Sequence, residues 1–292
     1  KEGARLTDCY SAAPVCSPTR SALITGPYPQ RDRFEWVIRY DEKDRGLPAT
    51  DLSLPKLLKK AGYSTGLFGK WHLGYKPEFG PNAHGFDDFF GFLSGGVNYY
   101  QHTRRDGGPD LYENTTPVNE PGYLTDLLPR RSVDFIDRNA QRPFFLEVAY
   151  NAAHWPFQSP HHSPDAFPKD RDLFQGPDDE TKPTRKDYAE ILERADAGVG
   201  QILAALDRHG LTRNTLVIFT NDNGGEWLSR NAPLFNRKGT LWEGGIRVAA
   251  IMREQDALTD PQQQIKEAIG SGPFKFSKDE WVPGSKTVYV RF

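Results

Sequence analysis

The chain has 292 residues, enough for one large domain or two ordinary ones. Hydrophobic residues make up 37%, and the 27 glycines raise the apolar share to about 46%, inside the globular range of roughly 45–50%, so a core can form. A formal net charge of -2 argues against nucleic acid or an anionic membrane surface as the main partner, and no apolar run nears the roughly 18 residues that a membrane span needs.

The first predicted element is a short apolar helix that starts in the run Cys16-Ser17-Pro18-Thr19-Arg20 and stops at Gly26. Residues 51–61 place Leu54, Leu57, Leu58 and Ala61 at helical spacing and stop at Gly62. Residues 63–68 read as a short strand closed by Gly69. Residues 94–123 are rich in Gly, Pro and Asn and read as a long surface loop, as do residues 158–183. Residues 130–139 form a predicted helix through Val133, Phe135 and Ile136, followed by a buried strand at 143–150. The clearest helix is 188–209, with Ile191, Leu192, Ala195, Val199, Ile202, Leu203 and Leu206 on one face and Gly210 as its cap. A buried strand at 215–220 follows, and 241–251 contains another after a Gly-rich turn. Alternating helices and continuous apolar strands give an α/β fold, with a mainly parallel central sheet covered by helices on both faces.

Two constellations carry chemistry on their own terms. In Gly66-Leu67-Phe68-Gly69-Lys70-Trp71-His72-Leu73-Gly74, a strand ends at a Gly-punctuated turn that delivers Lys70 and His72 two residues apart. A cation beside a titratable imidazole at a strand end suits an anionic substrate. In Thr220-Asn221-Asp222-Asn223-Gly224-Gly225-Glu226, Asp222 and Asn223 follow a strand end and offer hard oxygen atoms of the kind Ca²⁺ or Mg²⁺ prefers. An Asx-Gly turn after a strand is also a common structural device. Two cysteines do not make a disulfide framework, although Cys9 and Cys16 could bridge.

Taken together, the motifs resemble those of the formylglycine-dependent sulfatase family, in the alkaline-phosphatase superfamily, over residues 1–253. The run from Cys16 to Gly26 resembles that family's first signature, in which the Cys is oxidised to formylglycine. Residues 62–74 resemble its second. Lys238, in Lys238-Gly239-Thr240-Leu241-Trp242-Glu243-Gly244-Gly245-Ile246-Arg247, and His154, in Ala153-His154-Trp155-Pro156, resemble two further motifs. The family usually carries Pro where this chain has Ala153.

The resemblance implies a sulfuric ester hydrolase acting on small-molecule or glycan sulfate esters. Its aldehyde hydrates to a diol; one hydroxyl attacks sulfur, and loss of the second proton expels the sulfate, a step that a plain thiol cannot perform. It implies that Arg20 and Lys70 hold the diol and that His72 takes the proton. His154 and Lys238 bind sulfate and protonate the leaving oxygen. Asp222, Asn223 and the group at Cys16 hold Ca²⁺ or Mg²⁺. It also implies a formylglycine-generating enzyme as maturation partner and a periplasmic, secreted or lysosomal location, although the first residues do not read as a signal peptide. A phosphoesterase or phosphonate hydrolase of the same superfamily is the neighbouring alternative.

Two departures from the family pattern qualify the expectation. The family's opening strand ends in an Asp pair that binds metal. The only such pairs here, Asp87-Asp88 and Asp178-Asp179, stand in another context. After Arg253 the text changes character, and 254–292 resembles a fragment of a periplasmic peptide-transport solute-binding protein, through Gly270-Ser271-Gly272-Pro273-Phe274 and Trp281-Val282-Pro283-Gly284. The expectation is therefore an incomplete or chimeric chain with little turnover and poor metal affinity. A purely binding role for that tail is the other class considered, and the 32 residues of its 261–292 part cannot bury a core unaided.

Overall fold

A computed structural model describes residues 3–165, 182–253, 274–276 and 289–291. In chain order the strands are β1 (Ala4–Tyr10), β2 (Ser64–Lys70), β3 (Asp88–Phe92), β4 (Tyr112–Glu113), β5 (Thr116–Pro117), β6 (Phe144–Ala149), β7 (Val217–Thr220), β8 (Arg247–Arg253), β9 (Phe274–Phe276) and β10 (Tyr289–Arg291). The α-helices are α1 (Cys16–Thr25), α2 (Leu54–Lys60), α3 (Leu124–Asn139), α4 (Arg185–Arg208) and the single turn α5 (Glu243–Ile246).

The larger sheet has the order β5-β4-β3-β2-β6. Its heart is parallel: Phe68 of β2 stands between Phe90 of β3 and Val148 of β6. The two faces follow from the period-2 alternation of a strand. Leu67 and Phe89 point into one core with Ile24 of α1, Trp71 and Phe86. Phe68 and Phe90 point into the other with Leu128 and Phe135 of α3. Helices therefore cover both faces, as the alternating pattern implied.

α3 and α4 pack together through Ile136, Ala205 and Leu206. Their approach needs Gly198, where a Cβ would lie 2.5 Å from the Tyr150 hydroxyl and 3.1 Å from Pro129 Cγ. α4 starts at a capping box. Thr184 Oγ1 accepts from the Asp187 N–H, and the Asp187 carboxylate accepts from the Thr184 N–H.

Several expectations change in detail. β1, β8 and β7 form a separate, antiparallel three-stranded sheet, so the parallel part is confined to β3, β2 and β6. The 215–220 strand is not buried: Ile218 and Phe219 are 53% and 47% exposed. Among the described residues β7 pairs only with β8, so one of its margins lacks a neighbour. β6 likewise pairs only with β2 and is half-buried rather than enclosed. α3 starts six residues earlier than the pattern indicated and runs through Pro129. Residues 94–123 are no surface loop throughout, because Val97, Asn98, Tyr99, Asp110 and Leu111 are buried.

Cys9 and Cys16 are both free thiols. Asp87 and Asp88 pair with Lys59 and Arg138, and Asp178 and Asp179 lie outside the described residues. Of the expected tail 254–292, only β9 and β10 are described, paired antiparallel. Most of the 158–183 stretch is likewise outside the described residues.

Candidate active site

The site forms where the N-terminus of α1 meets the C-terminal ends of β2, β6 and β7, which is where open α/β sheets bind ligands. Cys16 is the first residue of α1, follows Val15 in extended conformation and is 3% exposed. No acidic residue occupies the first turn, so the free N–H groups and helix dipole there favour an anion. Cys16 Sγ donates to Asn223 Oδ1 at 3.7 Å. Next to it, the buried Ser17 hydroxyl donates to the His72 carbonyl at 2.8 Å and accepts from the Ile38 N–H. That hydroxyl ties α1 to the strand that carries the site's first imidazole.

Arg20, one helical turn on, donates through Nε and Nη2 to Asp222 Oδ2 at 3.1 and 3.0 Å, and through Nη1 to the Lys70 carbonyl at 2.9 Å. Burial would raise the Asp222 pKa, but Arg20, Lys70 and Lys238 outweigh it and hold the carboxyl at about 2. Lys70, the last residue of β2, is 3% exposed. Burial lowers its pKa, with Arg20 and Lys238 adding to the fall.

His72 sits at φ +58°. Its Nε2 lies 3.0 Å from the Ile38 carbonyl, which makes Nε2 the protonated nitrogen. Nδ1 is then a lone pair, buried and without a hydrogen-bond partner. Burial, Lys70 and Arg20 all push the His72 pKa well below 6.5, so the ring is neutral.

His154 follows β6. Lys238 Nζ donates to His154 Nε2 at 3.1 Å, and His154 Nδ1–H donates to the Trp155 carbonyl at 2.8 Å. Burial, Lys238 and Lys70 keep this ring neutral too. Lys238 also donates to Glu226 Oε2 at 3.1 Å. Burial works against the Lys238 charge, yet Cys16, Glu226 and Asp222 outweigh it and raise the pKa.

All eight residues singled out in the sequence thus converge: Cys16, Arg20, Lys70, His72, His154, Asp222, Asn223 and Lys238. Others went unmarked. Glu226 lies inside the quoted Asp-Asn-Gly-Gly run, but its partner Lys238 is 12 residues on, and no spacing rule links them. Gly95 and Gly96 press on the imidazoles. A Cβ on Gly95 would come within 2.7 Å of the His72 ring, and one on Gly96 within 2.8 Å of His154 Nδ1. Both lie in the 94–123 stretch, whose Gly-rich composition reads as loop. Glu147 of β6 feels the Arg20 charge, while its Oε2 is buried without a hydrogen-bond partner.

For a divalent cation the donor set is partial. Asp222 and Asn223 bring side-chain oxygens beside Cys16, but Asp222 Oδ2 is engaged by Arg20. Among the described residues, no three His, Cys, Asp or Glu side chains converge to hold a metal ion. Ca²⁺ takes about 6–8 oxygen ligands, so these residues do not complete a shell.

A family model described as Sulfatase matches residues 1–277. The chain belongs to the sulfatase family. Among curated proteins, this sulfatase is 36% identical to arylsulfatase J of Mus musculus over 262 residues, covering 86% of this chain and 42% of that protein. It is 35% identical to N-acetylgalactosamine-6-sulfatase of Canis lupus familiaris over 296 residues, covering 92% of this chain and 53% of the relative. The chain spans about half the length of the curated relatives it matches. Among solved structures it resembles Ps i-CgsB, at 35% identity and a TM-score of 0.77, over 88% of this chain and 59% of that one. The same protein in complex with k-i-k-neocarrahexaose gives a TM-score of 0.75. A phosphonate monoester hydrolase, SpPMH from Silicibacter pomeroyi, shares the fold at 18% identity and a TM-score of 0.57. No helix among the described residues is long and apolar enough to cross a membrane.

Proposed function

We propose that this sulfatase hydrolyses sulfate esters of carbohydrates at the cluster around Cys16. The observation that carries the reading is the convergence of Lys238, Lys70 and Arg20 with two neutral imidazoles at the α1 N-terminus. The likeness to N-acetylgalactosamine-6-sulfatase, and to a structure solved with k-i-k-neocarrahexaose, supports a sugar sulfate, and the likeness to arylsulfatase J makes an aryl sulfate the alternative.

Converted to formylglycine by a maturation enzyme, position 16 would supply a hydrated aldehyde: one hydroxyl attacks sulfur as the S–O bond to the leaving alcohol breaks, and the second hydroxyl then loses its proton so that the aldehyde re-forms and sulfate departs. Arg20 and Lys70 orient the oxygens at that position. The unpartnered Nδ1 of His72 takes the proton, since Nε2–H is fixed on the Ile38 carbonyl. Lys238 holds a sulfate oxygen and donates toward the leaving oxygen, and His154 completes the cradle. A preorganised donor of this kind is worth roughly 3–4 kcal/mol in the transition state. Asp222 and Asn223 are the proposed protein donors to Ca²⁺ or Mg²⁺, with position 16 as a third. An exported or lysosomal location, implied by the family, is part of the same proposal.

The test is hydrolysis by the chain co-expressed with a formylglycine-generating enzyme, on N-acetylgalactosamine 6-sulfate, 4-nitrophenyl sulfate and 4-nitrophenyl phosphate. Sulfate release that Cys16→Ala abolishes is expected. Faster cleavage of the phosphate would favour the phosphoesterase alternative. No Cys16-dependent release from any of the three would overturn the assignment, and release from the aryl sulfate alone would overturn the sugar preference.

A further inference from the structure

Two adjacent arginines above the site have different fates. Arg104 is fully engaged: it donates to Asp106 and to the Pro109 carbonyl, and its guanidinium lies 3.8 Å from the centre of the Tyr40 ring. Those bonds pin the turn at 104–109. Arg105 is exposed, and among the described residues no carboxylate pairs with it. Its guanidinium lies over the Trp155 ring, 5.6 Å from the centroid. The Trp155 ring is in turn 5.1 Å from the His154 ring, whose Nε2 meets Lys238. An exposed cation with no carboxylate partner among the described residues is therefore held on an aromatic strut beside the sulfate cradle.

We propose that Arg105, propped on Trp155, binds a second anionic group of the substrate. That group is a carboxylate or a further sulfate on the sugar next to the one bearing the scissile ester. The proposal rests on the sulfate-ester reading and narrows it to polyanionic glycans. Three physical arguments support it. A guanidinium offers a planar fork that matches an oxyanion bidentately, which a Lys cannot do. The Trp155 face restricts Arg105 before any ligand arrives, so less freedom is lost on binding. The pinned Arg104 turn and the His154–Trp155 contact fix the separation between the two anion sites, so a substrate is selected by the spacing of its charges.

The experiment is equilibrium binding to the full chain by calorimetry, which does not depend on turnover. The probes are N-acetylgalactosamine 6-sulfate as monoanion and two disaccharides that extend it, one with a uronic acid and one with a second sulfated sugar. We expect the wild type to prefer at least one disaccharide over the monoanion by about tenfold. Arg105→Ala should erase that preference, and Arg105→Lys should restore part of it. A loss on the uronic acid probe identifies a carboxylate, and a loss on the disulfated probe a sulfate. Lys238→Ala should weaken all three probes. If Arg105→Ala leaves the preference intact, or the wild type has none, the second subsite is overturned while the Lys238 result keeps the sulfate cradle standing. If the wild type binds no probe, both fall.

Discussion

Lys238 Nζ lies 3.1 Å from His154 Nε2, although 84 residues separate the two in the chain. The contact decides the tautomer of His154. An ammonium has no acceptor, so Nε2 must present a lone pair and Nδ1 must carry the hydrogen. With Glu226 on another of its hydrogens, Lys238 is held by two partners and has one N–H left for an incoming oxygen. Lys238→Ala should lower kcat/KM on a sulfate ester by about 100- to 1000-fold, the usual worth of one such donor. Steady-state kinetics checks this, and a loss below tenfold would remove Lys238 from the mechanism.

Glu226 acts through Lys238 rather than on substrate. Glu226→Gln keeps the shape and one hydrogen bond but removes the negative charge that helps keep Lys238 protonated. The basic limb of the pH–rate profile should therefore move to lower pH, because the ammonium deprotonates sooner. Glu226→Asp should restore part of the shift. An unmoved basic limb would count against this role.

Cys16 is buried at a helix start and unbridged, so its modification can be read directly. After co-expression with the maturing enzyme, the peptide containing residue 16 should be lighter than its thiol form and should react with a hydrazide probe. Cys16→Ala should show neither. Persistence of the unmodified thiol would sink the formylglycine assignment.

Gly95 has no room for a side chain. A Cβ would lie 2.7 Å from His72 Cε1 and 3.0 Å from Nε2, and the ring is pinned between Ile38 and the strand end. Gly95→Ala should cost about 1–3 kcal/mol of stability from overpacking and should also slow turnover by displacing the ring. Thermal melting and kinetics measured together test this. Retained activity at wild-type stability would show that His72 is free to move.

The buried histidines make the fold acid-sensitive. His72 and His154 titrate well below 6.5, chiefly through burial, and burial also lowers His84 to about 4. A depressed pKa means that the unfolded chain takes up protons first. The stability these groups contribute is present above about 6.5 and is lost as pH falls toward their folded values. Asp222, held at about 2 instead of 3.8, adds a second loss below that range. Melting temperature should fall as pH drops from 7 to 4, and His84→Gln should flatten part of the slope. A melting temperature independent of pH over that interval would contradict the burial argument.

Much of this architecture was legible beforehand, for reasons that can be named. α4 combines a long apolar face with Gly210 after it, and β2 ends in a glycine-punctuated turn that places Lys70 and His72. The start of α3 was hidden by Pro129. A proline inside a helix costs about 3 kcal/mol or more, but Leu124, Leu127 and Leu128 bury their side chains ahead of it and carry the helix through. The 94–123 segment looked like solvent because its composition is polar. Asp110 instead folds back and accepts from the Leu93 and Ser94 N–H groups, which draws the chain down onto the sheet. The strand at β7 looked internal because hydrophobicity reports what a side chain prefers and not whether a neighbour covers it.

The margins of β6 and β7 have a practical bearing. Each carries a row of peptide groups that pairs on one side only among the described residues, and Ile218 and Phe219 stand half in water beside one of them. Rows of this kind are templates for any extended polypeptide that meets them. Among the described residues, these two margins are therefore the places where a further extended segment would add to the sheets.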